Sequence, residues 1–185
     1  TNVADYVTIA TTGNASDFGD CATAVRLSSA CSNSTRAIKA GGDFNPSSDT
    51  VTNVIEFLTI ATTGNSADFG DITQARFAGT GCGSATRGII AGGQTPTYVN
   101  TIDFVTIASA GNASDFGDLI ATTSFLGGAS NSIKGIFAGG ATPTKLSTIQ
   151  SIEIATTGDA VAFGDNTATN PVTSRGTCSD SHGGL

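Results

Sequence analysis

The chain's 185 residues leave room for one ordinary domain or a few small repeats and exclude a large multidomain enzyme. A charged fraction of 12 %, 24 glycines and a net charge of -7 describe a turn-rich, β-leaning, acidic chain, and 8 Lys and Arg spread along it exclude a nucleic-acid binder built on clustered phosphate contacts. One histidine and two tyrosines exclude a polyhistidine metal centre; the regular apolar spacing excludes disorder, and no run approaches the ~20 apolar residues of a membrane-inserted helix. No signal peptide opens the chain, and Thr1 in place of methionine is expected of a processed product or a piece of something longer.

In chain order, DYVTIATTGNASDFGD at 5–20 returns as EFLTIATTGNSADFGD at 56–71, as DFVTIASAGNASDFGD at 103–118 and, weakened, as QSIEIATTGDAVAFGD at 150–165. Between the copies lies a second element: TRAIKAGG ending at Gly42, TRGIIAGG ending at Gly93 and IKGIFAGG ending at Gly140. Both elements recur at offsets of 51 and 47 residues, so they belong to one repeating unit. Within that unit Ile72 to Ala78 is β-like, and Gly79, Gly81 and Gly83 predict a turn. RGIIA at 87–91 predicts a strand that stops at Gly92 and Gly93. From Thr101 to Ile107, Ile102, Phe104 and Thr106 alternate with Thr101, Asp103, Val105 and Ile107. That is the period of a strand, and apolar residues on both faces predict a sheet covered on both sides. A Gly-Asn turn then leads to a partner strand ending at Phe-Gly-Asp. No three-turn apolar stripe of helical period is present, so little or no helix is expected.

Four strands in a unit of 47 to 51 residues predict an all-β chain, a β-propeller of four-stranded antiparallel blades. The expected count is about four: blades at 21–71, 72–118 and 119–165, and a composite blade split between the termini, 166–185 plus 1–20, within a single repeat domain 1–185. Open strand edges at such a split leave two other outcomes, a segment of a longer propeller or pairing with a neighbouring copy. Aligning Cys178 with Cys31 and Cys82 sets His182, Gly183 and Leu185 against Thr35, Arg36 and Ile38, so the last strand is expected to stop before its glycine pair.

The details resemble kelch repeats, whose blades carry an early basic residue, a hydrophobic strand closing on a double glycine, an acidic residue in the next strand and a late aromatic. Here Arg76, IIAGG at 89–93, Asp103 and Phe116 stand in those places, Phe116 where many kelch blades have tryptophan. The phrase TIATTGNASDFGD and the terminal SDSHGGL more narrowly resemble a kelch-like family in virion structural proteins of tailed bacteriophages of aquatic bacteria. The resemblance implies a non-enzymatic fibre or decoration protein of the virion or extracellular space. Its implied partners are other virion or filament subunits, including further copies of itself in a homo-oligomer, and a host-surface glycan or receptor. It brings no catalytic residue and no cofactor. A carbohydrate-active propeller enzyme and a secreted adhesive or filament subunit are the alternatives. Acids that recur with the blade instead of converging argue against a paired-carboxylate glycosidase, and one His with two Tyr cannot furnish a kelch-type copper site.

Candidate site residues follow the repeat. Asp17 with Asp20, Asp68 with Asp71 and Asp115 with Asp118 set two carboxylates near a turn, the oxygen ligands that calcium favours, but Ala162 in the fourth copy leaves only Phe-Gly-Asp common to all. The structural reading gives Phe18, Phe69, Phe116 and Phe163 to packing between blades, the glycine to a bend, and the second Asp to accepting turn N–H groups. Gly41, Gly42, Gly92, Gly93, Gly139 and Gly140 punctuate the strands. Arg36, Arg87 and Lys134 share one repeat position and Asp5, Glu56 and Asp103 another, so the two sets of charge are expected to pair. Cys31, Cys82 and Cys178 share a position and Cys21 stands alone; disulfide and free buried thiols both stay open, and no CxxC exists for zinc. The sequons at Asn14, Asn33 and Asn112 carry meaning only in a secreted eukaryotic or viral surface protein, and the solitary His182 has no nucleophile motif beside it. The unequal connections 43–52 and 94–100 are the expected variable loops.

Overall fold

A computed structural model describes residues 2–45, 47, 50–167 and 177, and every regular element among them is a strand. The chain opens with an antiparallel pair, β1 (Val3–Tyr6) and β2 (Ser16–Asp20). Three four-stranded antiparallel sheets follow, each a meander whose spatial order is its chain order. The first holds β3 (Ser29–Ser32), β4 (Arg36–Asp43), β5 (Val51–Thr59) and β6 (Ala67–Asp71). The second holds β7 (Thr80–Gly83), β8 (Arg87–Thr95), β9 (Thr97–Thr106) and β10 (Ser114–Asp118). In the third, a small ribbon of β13 (Ala141–Thr142) and β14 (Thr144–Lys145) projects between β12 (Lys134–Ala138) and β15 (Thr148–Glu153), flanked by β11 (Gly127–Ser130) and β16 (Val161–Asp165). The chain is all-β with a propeller-like arrangement of four sheets, in which β3 lies beside β7 and β7 beside β11 as an inner row. The described residues do not form a closed ring, and β16 is exposed along its length. The remainder of the split blade, with Cys178, His182, Gly183 and Leu185, lies outside the described residues.

The middle sheet bears out the expectation of two covered faces. Ile90, Val105 and Ile107 point into one core with Ile38, Ile55 and Phe69 of the first sheet. Ile89, Ile102 and Phe116 point into the other with Phe137, Ile152 and Ile154 of the third. Adjacent residues thus serve opposite cores, as period-two alternation requires. Each fully buried Ile contributes roughly 2 kcal/mol of transfer free energy.

Two predicted boundaries are overturned. Residues 72–78 form no strand beyond a single bridge from Phe77 to Gln94; the inner strand is β7, which contains the Gly81 and Gly83 that predict a turn. The reason lies in the neighbouring sheet, because a Cβ on Gly81 would stand 2.1 Å from the Ala30 carbonyl oxygen. Glycine is there for backbone approach between strands. The double glycines also do not end their strands in the first two units: β4 and β8 run through them with a register shift. Gly41 and Gly42 have φ of 63° and 122°, and Gly92 and Gly93 of 62° and 119°, so each pair forms a bulge open to glycine alone. Only β12 stops short of its pair, Gly139 and Gly140. The connection expected over 94–100 is a paired hairpin, with Gln94 opposite Tyr98 and Thr95 opposite Thr97 around the tip Pro96.

Candidate functional site: the joint between units

Every neighbouring pair of units is fastened by the same joint. At its outer end stands Phe-Gly-Asp. In all four copies the phenylalanine is the extra residue of a β-bulge: Ala4 and Asp5 face Gly19 and Asp17, skipping Phe18, and the same skip recurs at Phe69, Phe116 and Phe163. A bulge re-aims its side chain, and Phe69 and Phe116 use it to enter the two cores. The glycine after it meets the next unit's turn: a Cβ on Gly19, Gly70 or Gly117 would lie 2.3 to 2.5 Å from Gly64, Gly111 or Gly158.

Hydrogen bonds close this contact three times. Gly64 N donates to Phe18 O at 2.7 Å and Ser66 N to Asp20 O at 2.9 Å. Gly111 and Ala113 do the same to Phe69 and Asp71, and Gly158 and Ala160 to Phe116 and Asp118. A side chain completes each set, Asn65 Oδ1 accepting from Asp20 N, Asn112 Oδ1 from Asp71 N and Asp159 Oδ1 from Asp118 N. The expected role of the second Asp is therefore reversed. Its main chain makes the joint, and the side-chain acceptor belongs to the turn of the following unit. Asp17, Asp20, Asp68, Asp115 and Asp118 are exposed and Asp71 is half-buried. Among the described residues no group of three or more His, Cys, Asp and Glu is placed to hold a metal ion.

Deeper in, the glycine bulges receive the next unit's chain. Gly42 N donates to Arg76 O at 2.9 Å and Gly93 N to Thr123 O at 2.8 Å, while a Cβ on Gly41 or Gly92 would fall 2.4 or 2.5 Å from those same two carbonyls. A third relay has no counterpart in the sequence pattern. Leu27, Ala78 and Phe125 occupy one repeat position and all have φ of 54° to 57°, a strained backbone for a non-glycine residue. Ala78 N donates to Leu27 O and Phe125 N to Ala78 O, so the strained residues are bonded to one another from unit to unit.

The charged residues do not pair as expected. Arg36 stacks 4.5 Å over the Phe57 ring and donates to Ile107 O of the next unit; Arg87 stacks 4.7 Å over Phe104 and donates to Ile154 O. Register explains the error: Glu56 lies opposite Lys39, three residues along β4 from Arg36 and about 10 Å away at strand rise. Lys39 approaches Glu56 at 3.5 Å, Arg76 approaches Asp103 at 3.0 Å in full burial, and Lys134 pairs with Glu153 at the surface. Glu56 and Asp103 also bind the start of their own unit, through Thr23 and Thr73. Burial pushes the Glu56 carboxyl up, but hydrogen bonds from Thr23 and Ser66 and the Lys39 ammonium outweigh it and hold the group below its ordinary value. Asp5, which shares that repeat position, is exposed.

Cys21, Cys31 and Cys82 are free thiols. The Cys31 sulfur seats against Gly88 and the Cys82 sulfur against Gly135, each in the following sheet. Burial pushes the Cys31 thiol up to about 12, and burial beside Cys31 raises Cys82 as well, so both stay protonated at neutral pH. They border a cavity of about 480 Å³ along the inner row, with Ile38, Gly81 and Ser130. Ser130 Oγ bridges the inner strands, donating to Gly83 O at 2.6 Å and accepting from Gly83 N at 3.0 Å. No protein-family model matches this chain, and no curated protein matches it.

Proposed function

We infer that this chain is a non-enzymatic structural protein, a kelch-like propeller that serves as a building block of a virion or extracellular assembly and presents its hairpin tips to a host-surface receptor or glycan. The observation that carries the reading is where the buried and half-buried ionisable side chains go. Arg36 and Arg87 bind main chain of the following unit, while Lys39 with Glu56 and Arg76 with Asp103 pair inside their own units. Function is thereby left to the projecting surfaces, chiefly the tips around Pro96 and Pro143, where residues 96–97 and 143–145 are exposed. A rigid array under variable tips is a platform for contact. The phage-virion assignment rests on the resemblance of the repeated phrases.

The test is binding of the purified chain to host cells and a glycan array, run beside a hydrolysis assay on the same sugars. Binding without turnover is expected. Release of sugar products would overturn the reading in favour of a carbohydrate-active enzyme.

A further inference from the structure

Among the described residues the joint is made three times, and its two halves also occur once each without a mate there. The donor half is the turn Gly13-Asn14-Ala15, equivalent to Gly64-Asn65-Ser66, Gly111-Asn112-Ala113 and Gly158-Asp159-Ala160. The acceptor half is β16 with Phe163, Gly164 and Asp165. We propose that these two halves join between molecules, so that the open edge of β16 in one copy receives the N-terminal turn of a second copy, head to tail. This deepens the assembly part of the function above by naming the partner; it does not depend on receptor binding.

Exposure singles out these two surfaces. Phe163 is 58 % exposed, whereas Phe69 and Phe116 at the same repeat position are 2 % exposed. Ile9 is 97 % exposed, against 43 % for Ile60 and 0 % and 1 % for Ile107 and Ile154 at the same repeat position. Ala15 is exposed where Ala160 is buried. A Cβ on Gly164 would meet no heavy atom within 4 Å, while one on its equivalents would meet the following turn below 3 Å. The strand chemistry has shifted as well: the acceptor strands read SDFGD, ADFGD and SDFGD inside the array and VAFGD at its open end. An aspartate is replaced by Ala162, and Val161 joins Phe163 as an exposed apolar residue.

The chemistry of the intermolecular joint is that of the internal ones. Gly13 N donates to Phe163 O, Ala15 N to Asp165 O, and Asn14 Oδ1 accepts from Asp165 N. Lys134 stands in the place of Arg36 and Arg87 but pairs with Glu153 of its own unit, so that one contact of the internal joints is not reproduced. The contact is continuous with an interface the chain already builds and adds a strand edge to a waiting turn. A head-to-tail contact of this kind propagates until it closes into a ring or extends as a filament.

Light scattering on the full chain from roughly 1 µM to 1 mM reads the joint. The wild-type chain is expected to associate with rising concentration. Gly164→Val is expected to weaken association at least ~10-fold, because its side chain occupies the space the turn must enter. The melting temperature of this variant as a dilute monomer is expected to stay unchanged, since the site is open there. A wild-type chain that stays monomeric throughout overturns the proposal, whether the turn closes onto β16 of its own chain or meets nothing. Association undiminished in both Gly164→Val and Phe163→Ala also overturns it. Loss of glycan or cell binding with association intact would instead count against the receptor reading alone.

Discussion

Phe116 and Phe163 are the same residue in the same bulge of the same repeat, one sealed between two sheets and the other facing solvent. The contrast teaches that a position in this chain acquires its energetic weight from the following unit. Phe116 is sealed into a core with Phe137, Ile152 and Ile154 of the following unit, and has Phe104 of its own sheet edge-to-face with ring centres 6.0 Å apart and Arg87 above that ring. In the third unit Ser151 stands where Phe104 does, and Lys134 turns to Glu153.

The largest expected effects come from breaking the sealed member of each pair. Phe116→Ala should cost about 3–5 kcal/mol in denaturant unfolding, and Phe163→Ala, measured on the dilute monomer, no more than about 0.5 kcal/mol. Equal losses would end the comparison. Arg76→Met should cost about 3–5 kcal/mol because it leaves the Asp103 carboxylate buried without its cation, whereas Lys134→Met, at a half-exposed pair, should change stability by about 0–1 kcal/mol. Smaller again is Gly70→Ala, about 1–3 kcal/mol or more because the obstructing atoms are main chain, against no measurable change for Gly164→Ala in thermal melts.

The mildest effect is a pH dependence. The folded Glu56 carboxyl is held below its unfolded value, so its stabilisation is present above the ordinary glutamate pKa of about 4.3 and disappears as pH falls through the folded value. Unfolding free energies measured at neutral and acid pH should converge for wild type and Glu56→Gln as the solution is acidified. A difference that widens would contradict the assignment.

Much of this architecture is legible in the chain because the repeat displays it four times. The two-sided burial of 101–107 and the strand at 87–91 follow from alternation within one sheet. The errors concern register and contacts between strands. Gly81 and Gly83 read as a turn because nothing local says that Ala30 presses on the strand. Arg36 reads as a partner of acids because spacing alone does not reveal that Glu56 faces Lys39. The strained Leu27, Ala78 and Phe125 carry no signal at all, since none of these residue types favours a positive φ. Of the joint itself, Phe-Gly-Asp and the Gly-Asn turn are both conspicuous as words; that one grips the other across units becomes visible only in three dimensions.

The glycine contacts at Gly41, Gly70, Gly81, Gly92 and Gly117 press main chain against main chain. The pitch of the array is therefore gauged by carbonyl and amide atoms that every amino acid shares. Residues at the hairpin tips can be exchanged without altering that gauge, so the outer surface can change while the spacing from sheet to sheet stays constant.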